Sequence, residues 1–175
     1  MKDMTLVIGG CKSRKSGFAL TLAEESGQNP VFMATCVPLD DEMKDRVKRH
    51  RAERSNRWHT VDVPEFFPEA VAEYGKKENV LVVDCITLWI TNLLLKFDNT
   101  DTVNDRVERL IRALETVPCP VILVSNEVGA GIVPENRLAR AFHDSAGIAN
   151  QKFAAAANRV VWMVAGIPSV IKKTQ

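Results

Sequence analysis

The 175-residue sequence predicts an α/β fold, a three-layer domain in which a mostly parallel sheet lies between helices. Three observations predict it. Short apolar runs alternate with longer amphipathic ones along the chain. Four of the five apolar runs lack polar alternation across their centres, as expected of strands covered on both faces. No internal repeat or low-complexity tract breaks the series. One domain is expected over 1–175, because that length with 46% hydrophobic residues supports a buried core without disulfide or metal.

Taken in order, TLVI (5–8) is the first strand and runs toward a helix over 15–27. PVFMAT (30–35) is the second strand, and the stretch 40–57 carries helical spacing with Asp40 at its start. A third helix over 64–76 precedes the strand NVLVVDC (79–85), and 86–96 is helical again. The polar stretch FDNTDTVN (97–104) reads as a connection that tolerates length changes, leading into a helix over 102–117. PVILVS (120–125) is the fourth strand, Pro134 opens a helix over 134–157, and RVVWMVAG (159–166) is the fifth strand.

Composition narrows the partners. The formal charge of +1, from 23 basic against 22 acidic residues, argues against a global field built for nucleic acid or an anionic membrane. The most basic stretch also has little aromatic interleaving, so no nucleic-acid partner is expected. No segment approaches the ~20 apolar residues of a membrane span, and the N-terminal apolar run is too short for a signal-peptide core. Cys11, Cys36, Cys85 and Cys119 are far apart, with no CxxC pair, and read as reduced thiols mostly in core positions. A cytoplasmic protein is expected.

The first strand runs straight into Gly9-Gly10-Cys11-Lys12-Ser13-Arg14-Lys15-Ser16 and then a helix, the context that a phosphate-binding loop needs. There the backbone N–H groups face phosphate, Lys15 reaches the terminal oxygens and the Ser16 hydroxyl holds Mg2+. An ordinary strand-to-helix turn with exposed cations is the plainer reading. The loop pattern also wants glycine where Arg14 stands. Such a position often needs a backbone conformation that a residue with a Cβ enters only at about 1–2 kcal/mol, so Arg14 should strain or displace the loop. Asp84, ending the strand VLVVD, can hold Mg2+ opposite Ser16, or it can cap the following helix.

Residues 40–57 have an acidic first turn followed by Lys44, Arg46, Lys48, Arg49, Arg51, Arg54 and Arg57. This suits the helix dipole, so a solvated helix would explain it. On helical spacing, Arg46, His50 and Arg54 share one face, which sets an imidazole between two guanidiniums. Flanking cations favour the neutral, nucleophilic imidazole and offer donors to a bound phosphate. Further on, Glu127, Glu135, Asn136 and Arg137 follow the PVILVS strand at the ligand-binding edge of an open α/β sheet. They could face a substrate or a neighbouring subunit, or form a purely structural loop.

The block Ser125-Asn126-Glu127-Val128-Gly129-Ala130-Gly131-Ile132-Val133-Pro134-Glu135-Asn136-Arg137-Leu138-Ala139-Arg140 resembles the signature of the bifunctional adenosylcobinamide kinase/adenosylcobinamide-phosphate guanylyltransferase family. The resemblance runs nearly end to end, through GGCKSRKS, ATC, LDDEM, RHRAER, W-x-T-V-D, DCITLWITNLL and DSAGIANQKFAAAANRVVWMVAGIP. It implies a P-loop NTPase domain with a RecA-like core. It also implies a cobalamin-biosynthesis enzyme that phosphorylates the corrinoid adenosylcobinamide and then transfers GMP from GTP to the product. His50 would carry the GMP, with GTP and ATP as substrates and Mg2+ at Ser16 and Asp84. Nucleotide contacts would fall on Gly9 to Ser16, on Thr35, Cys36 and Val37, on Arg51, Ala52, Glu53 and Arg54, and on Asp62 and Asp84. A homotrimer is implied as well. A P-loop kinase of another small hydroxylated substrate, or a GTP-binding module without catalysis, are the rival readings.

Overall fold

The computed structural model describes residues 3–38, 41–52, 54–65 and 67–174, apart from the side chains of Arg46, Arg49 and His50. The elements run β1 (Met4–Gly9), α1 (Lys15–Glu25), β2 (Asn29–Ala34), α2 (Asp41–Ala52), β3 (His59–Asp62), α3 (Phe67–Tyr74) and β4 (Asn79–Asp84). They continue with α4 (Ile86–Phe97), α5 (Thr100–Thr116), β5 (Val121–Asn126), α6 (Arg137–Ala156), β6 (Arg159–Val164) and β7 (Ile167–Lys173). All seven strands join one sheet in the order β3-β2-β4-β5-β1-β6-β7. Every pairing is parallel except β6 with β7.

The core lies on both faces of this sheet, as the unbroken apolar strands require. On one face Leu6, Ile8, Leu81, Val83 and Leu123 meet Phe67 and Val71 of α3, Trp89 and Leu93 of α4, Val107 and Leu110 of α5, and Phe153 of α6. On the other, Val7, Val80, Val82, Val124 and Val161 pack on Ala19 and Ala23 of α1, with Trp58 alongside. Small alanines on α1 let that helix sit close to the sheet, directly behind the loop that precedes it. The described residues of α2 include no buried one, so it is the solvated helix that its charge pattern suggested.

Several boundaries differ from the sequence reading. Strands β3 and β7 were not among the expected five; both are edge strands, short or exposed, without a continuous apolar run. Pro168 is tolerated in β7 because it lies on an outer strand. Ala165 and Gly166, at φ 50° and 84°, form the two-residue turn that reverses the chain into β7. The stretch 97–104 is not an open connection: α5 starts at Thr100, its cap residue Asn99 accepting the Thr102 N–H at 2.9 Å. Pro134 does not open α6. Asn136 does, accepting the Ala139 N–H at 3.1 Å, because a side-chain acceptor satisfies a free helix-end donor and proline does not. Asp40, the expected start of the second helix, lies outside the described residues.

Candidate active site

The carboxyl ends of β1, β4 and β5 and the N-termini of α1 and α4 converge on one edge of the sheet. The loop between β1 and α1 turns tightly at Gly9. Gly9 is buried, and a Cβ there would lie 2.7 Å from the Met163 carbonyl oxygen and 2.7 Å from Ser13 Oγ, so only glycine fits. Ser13 is buried beneath the loop, while Gly10, Cys11 and Lys12 are exposed. Arg14 precedes α1 at φ 66°, ψ 18°, the left-handed conformation for which glycine is usual. The loop is thus strained at Arg14 rather than displaced. The Arg14 stem lies on Gly166, where a Cβ would come within 3.2 Å of its Cδ.

Lys15 donates from Nζ to the Gly10 carbonyl at 3.1 Å, folding its ammonium over the loop. Ser16 follows in the first turn of α1, half-buried. Asp84 ends β4, two strands from β1. The cap of α4 is Cys85, so Asp84 does not fill the capping role open to it from sequence. Cys85 reports on the charges around it: burial pushes its thiol up to about 11, the Asp84 carboxylate pushes the same way, and the Lys15 ammonium pulls back. A single buried thiol therefore feels both charged residues of the site.

The strand ends are tied by side chains. Thr35 is fully buried, and its hydroxyl donates to the Cys85 carbonyl at 2.7 Å and accepts the Cys85 N–H at 2.8 Å. That hydroxyl joins β2 to β4. Cys36 is half-buried and Val37 exposed in the connection that follows. Asn126 donates to Thr87 Oγ1 at 2.8 Å, and Thr87 Oγ1 is 3.2 Å from Cys85 Sγ. Asn126 and Thr87 are absent from the residues singled out by sequence for the nucleotide. Asn126 stood in a recognisable block, but no spacing signal connects it to Thr87 across 39 residues.

A second cluster sits at the far end of the same edge. Arg51 Nη2 donates to both oxygens of Asp62, at 2.8 and 2.9 Å. The Arg54 guanidinium lies 3.9 Å from the Phe32 ring centroid and donates to Thr60 Oγ1 at 3.5 Å. Trp58, its indole N–H donating to Glu24 at 3.0 Å, forms another wall. Arg51, Arg54, Asn56, Trp58, Thr60 and Asp62 line an open cleft of about 540 Å³. The expected shared face of Arg46, His50 and Arg54 is not formed, because α2 ends at Ala52 and Arg54 turns back onto Phe32 of β2. The backbone of Arg46 and His50 lies one turn apart on α2, while their side chains and Glu53 lie outside the described residues. Asp62 on β3 is four strands from β1, roughly 19 Å at about 4.8 Å per strand. The residues expected to hold nucleotide thus fall into two groups on one edge.

A parallel sheet whose loop-bearing strand is separated from the Asp84 strand by another strand defines a RecA-like P-loop fold. Two solved structures share it: the KaiC-like protein PH0186 from Pyrococcus horikoshii, with a TM-score of 0.51 at 17% identity over 92% of this chain and 70% of that one, and the flagellar accessory protein FlaH from Methanocaldococcus jannaschii, with 0.56 at 14% over 99% and 79%. At that identity the likeness concerns the fold. Residues 5–171 match the family described as cobinamide kinase / cobinamide phosphate guanyltransferase, and the chain belongs to that family. It is 41% identical to the bifunctional adenosylcobalamin biosynthesis protein CobU of Escherichia coli K12, over 97% of this chain and 99% of the relative. It is 40% identical to the protein CobP of the same description from Pseudomonas aeruginosa, over 98% of each.

Proposed function

We propose that this protein phosphorylates adenosylcobinamide from a nucleoside triphosphate and then transfers GMP from GTP to the phosphorylated product, giving adenosylcobinamide-GDP. The observation that carries the reading is the loop after β1 that admits only glycine at Gly9, with Lys15 opening α1 and Asp84 ending β4 on the same sheet edge, in a chain that matches the family from residue 5 to 171. In the first step the loop N–H groups and Lys15 hold the triphosphate and stabilise charge on the transferring group. Ser16 and Asp84 would hold Mg2+: one hydroxyl and one carboxylate that is not the helix cap suit a hard cation whose other ligands are water and phosphate. When bound it would neutralise phosphate charge.

In the second step we assign His50 as the nucleophile. Its neutral imidazole attacks the α-phosphorus of GTP, the bond to pyrophosphate breaks, and the resulting phosphoramidate gives GMP to the corrinoid phosphate. Support comes from its neighbour in the chain: His50 precedes Arg51 on α2, and Arg51 reaches the cleft at Asp62. Arg51, Ala52, Glu53, Arg54 and Asp62 then serve the GMP end, while Gly9 to Ser16, Thr35 to Val37 and Asp84 serve the phosphates. Within that set, Thr35 acts by holding Cys85 and thereby Asp84 in place.

We further propose that the 175 residues form one domain, supported by the single sheet, and that the protein works in the cytoplasm as a homotrimer. The exposed apolar residues Trp162, Val164, Ile167 and Ile171 on the β6–β7 hairpin support association of subunits. Among the described residues no helix is long and apolar enough to cross a membrane. Incubation with α-labelled and γ-labelled GTP, with and without adenosylcobinamide, tests the function. Label from γ on corrinoid and acid-labile label from α on protein, the latter abolished in His50→Ala, are expected. Wild-type labelling of His50→Ala would refute the histidine assignment.

A further inference from the structure

Transfer of a phosphoryl group to a hydroxyl needs an acceptor for the hydroxyl proton, within reach of the terminal phosphate. Of the carboxylates at this edge, Asp62 is engaged with Arg51 on the far strand, and Asp84 ends a strand two positions from β1. Glu127 is nearer. It follows β5, whose last residue Asn126 is in register with Gly9, and its own N–H donates to the Gly9 carbonyl at 3.0 Å. The chain at Glu127 is therefore hooked onto the first residue of the phosphate loop, one strand from β1.

Its side chain is half held and half available. Oε1 accepts the Gly129 N–H at 2.6 Å, and a Cβ at Gly129 would lie 2.8 Å from that oxygen, so the glycine makes room for the contact. Oε2 has no hydrogen-bond partner among the described residues. A carboxylate with one oxygen anchored by backbone and the other open, partly exposed beside a phosphate loop, has the form of a positioned base.

We infer that Glu127 receives the acceptor proton in the kinase step, an assignment that rests on the function proposed above. As the hydroxyl oxygen bonds to the γ-phosphorus, the bond from that phosphorus to the β–γ bridging oxygen breaks. The nucleoside diphosphate leaves with the electron pair, and the hydroxyl proton passes to Oε2 of Glu127. Glu127→Gln separates this role from loop shaping, because the amide oxygen still accepts from Gly129 while the group no longer takes a proton.

The test measures phosphorylation of adenosylcobinamide from γ-labelled GTP and protein labelling from α-labelled GTP, in wild type and Glu127→Gln, with thermal melting to confirm the fold. We expect γ-transfer to fall at least 100-fold, α-labelling to stay within twofold, and the acid limb of the wild-type kinase pH profile to be missing from the variant. A folded Glu127→Gln protein that keeps a third or more of wild-type γ-transfer overturns the inference and leaves Glu127 as a loop cap. Wild-type protein that labels no corrinoid overturns the kinase reading, and this inference with it.

Discussion

Arg14→Gly probes the one residue at which the phosphate loop departs from its pattern. At φ 66° an L-residue with a Cβ carries a left-handed penalty of about 1–2 kcal/mol, which glycine removes. Glycine also makes the unfolded chain more flexible, returning about 0.5–1 kcal/mol to that side. The net gain is on the order of 0.5–1 kcal/mol, a Tm rise of roughly 1–4 °C for a chain of this size. The stem of Arg14 on Gly166 works against the gain, and a double-mutant cycle with Gly166→Ala measures it. Gly166→Ala alone should destabilise, since its φ is 84° and its new Cβ meets Arg14 Cδ at 3.2 Å; in the Arg14→Gly background only the backbone part of the loss should remain. A displaced loop would have been corrected by glycine, with a large increase in kinase rate. Because the loop already holds the left-handed geometry, the γ-transfer rate should change less than about threefold, well under 1 kcal/mol of barrier. Nucleotide affinity should weaken modestly in a salt-dependent way, as one cation beside the phosphates is lost. Thermal unfolding with steady-state rates for both half-reactions decides. A Tm that falls by several degrees, or a tenfold faster kinase, would refute the reasoning.

Lys15→Ala should lower γ-transfer roughly a hundredfold, about 2–4 kcal/mol of barrier, with melting unchanged within a few degrees because its one side-chain hydrogen bond among the described residues is to an exposed loop carbonyl; unchanged activity in the folded variant would remove the phosphate-loop assignment. Thr35→Val leaves the buried Cys85 N–H without its partner, while the Cys85 carbonyl keeps the Trp89 N–H at 3.3 Å, and should cost about 1–3 kcal/mol, seen as a lower urea midpoint; a loss below about 0.5 kcal/mol would contradict the linking role. The Cys85 thiol is raised from 9.0 to about 11, so both states hold the proton below pH 9 and the unfolded state loses it first. Stability should therefore fall between pH 9 and 11, by on the order of 2–3 kcal/mol more in wild type than in Cys85→Ala, and equal slopes in the two proteins would contradict it.

How far the sequence could be read depended on how local the cause was. The five buried strands and the placing of Lys15 and Ser16 after β1 follow from hydrophobic runs and a short motif, both contained in single segments. The edge strands β3 and β7 escaped because half-exposed strands carry no continuous apolar run, although the Ala165-Gly166 pair after the apolar run of β6 was a usable turn signal. Arg54 was misplaced because i, i+4 spacing says nothing about where a helix ends; Arg54 lies beyond α2 and contacts Phe32, 22 positions earlier. The ties from Thr35 to Cys85 and from Asn126 to Thr87 are long-range pairings with no periodicity, visible only once the sheet order is known. Two cysteines, Cys85 and Cys119, are buried, but Cys11 is exposed on the loop, so burial was not a property of the residue type alone.

The position of β1 in the sheet bears on the order of events at the ribosome. Its neighbours are β5 and β6, whose registers bring Met4 to Val121 and Thr5 to Arg159. Strand β1 therefore waits for strands made more than a hundred positions later. Gly9 rests against the Met163 carbonyl, and Arg14 against Gly166, so the bed of the phosphate loop is supplied by the β6–β7 hairpin. A nascent chain halted before β6 should have every loop residue and no loop. Nucleotide binding in this protein would then report that synthesis has passed the hairpin, and stalled chains of increasing length should acquire it in one step rather than gradually.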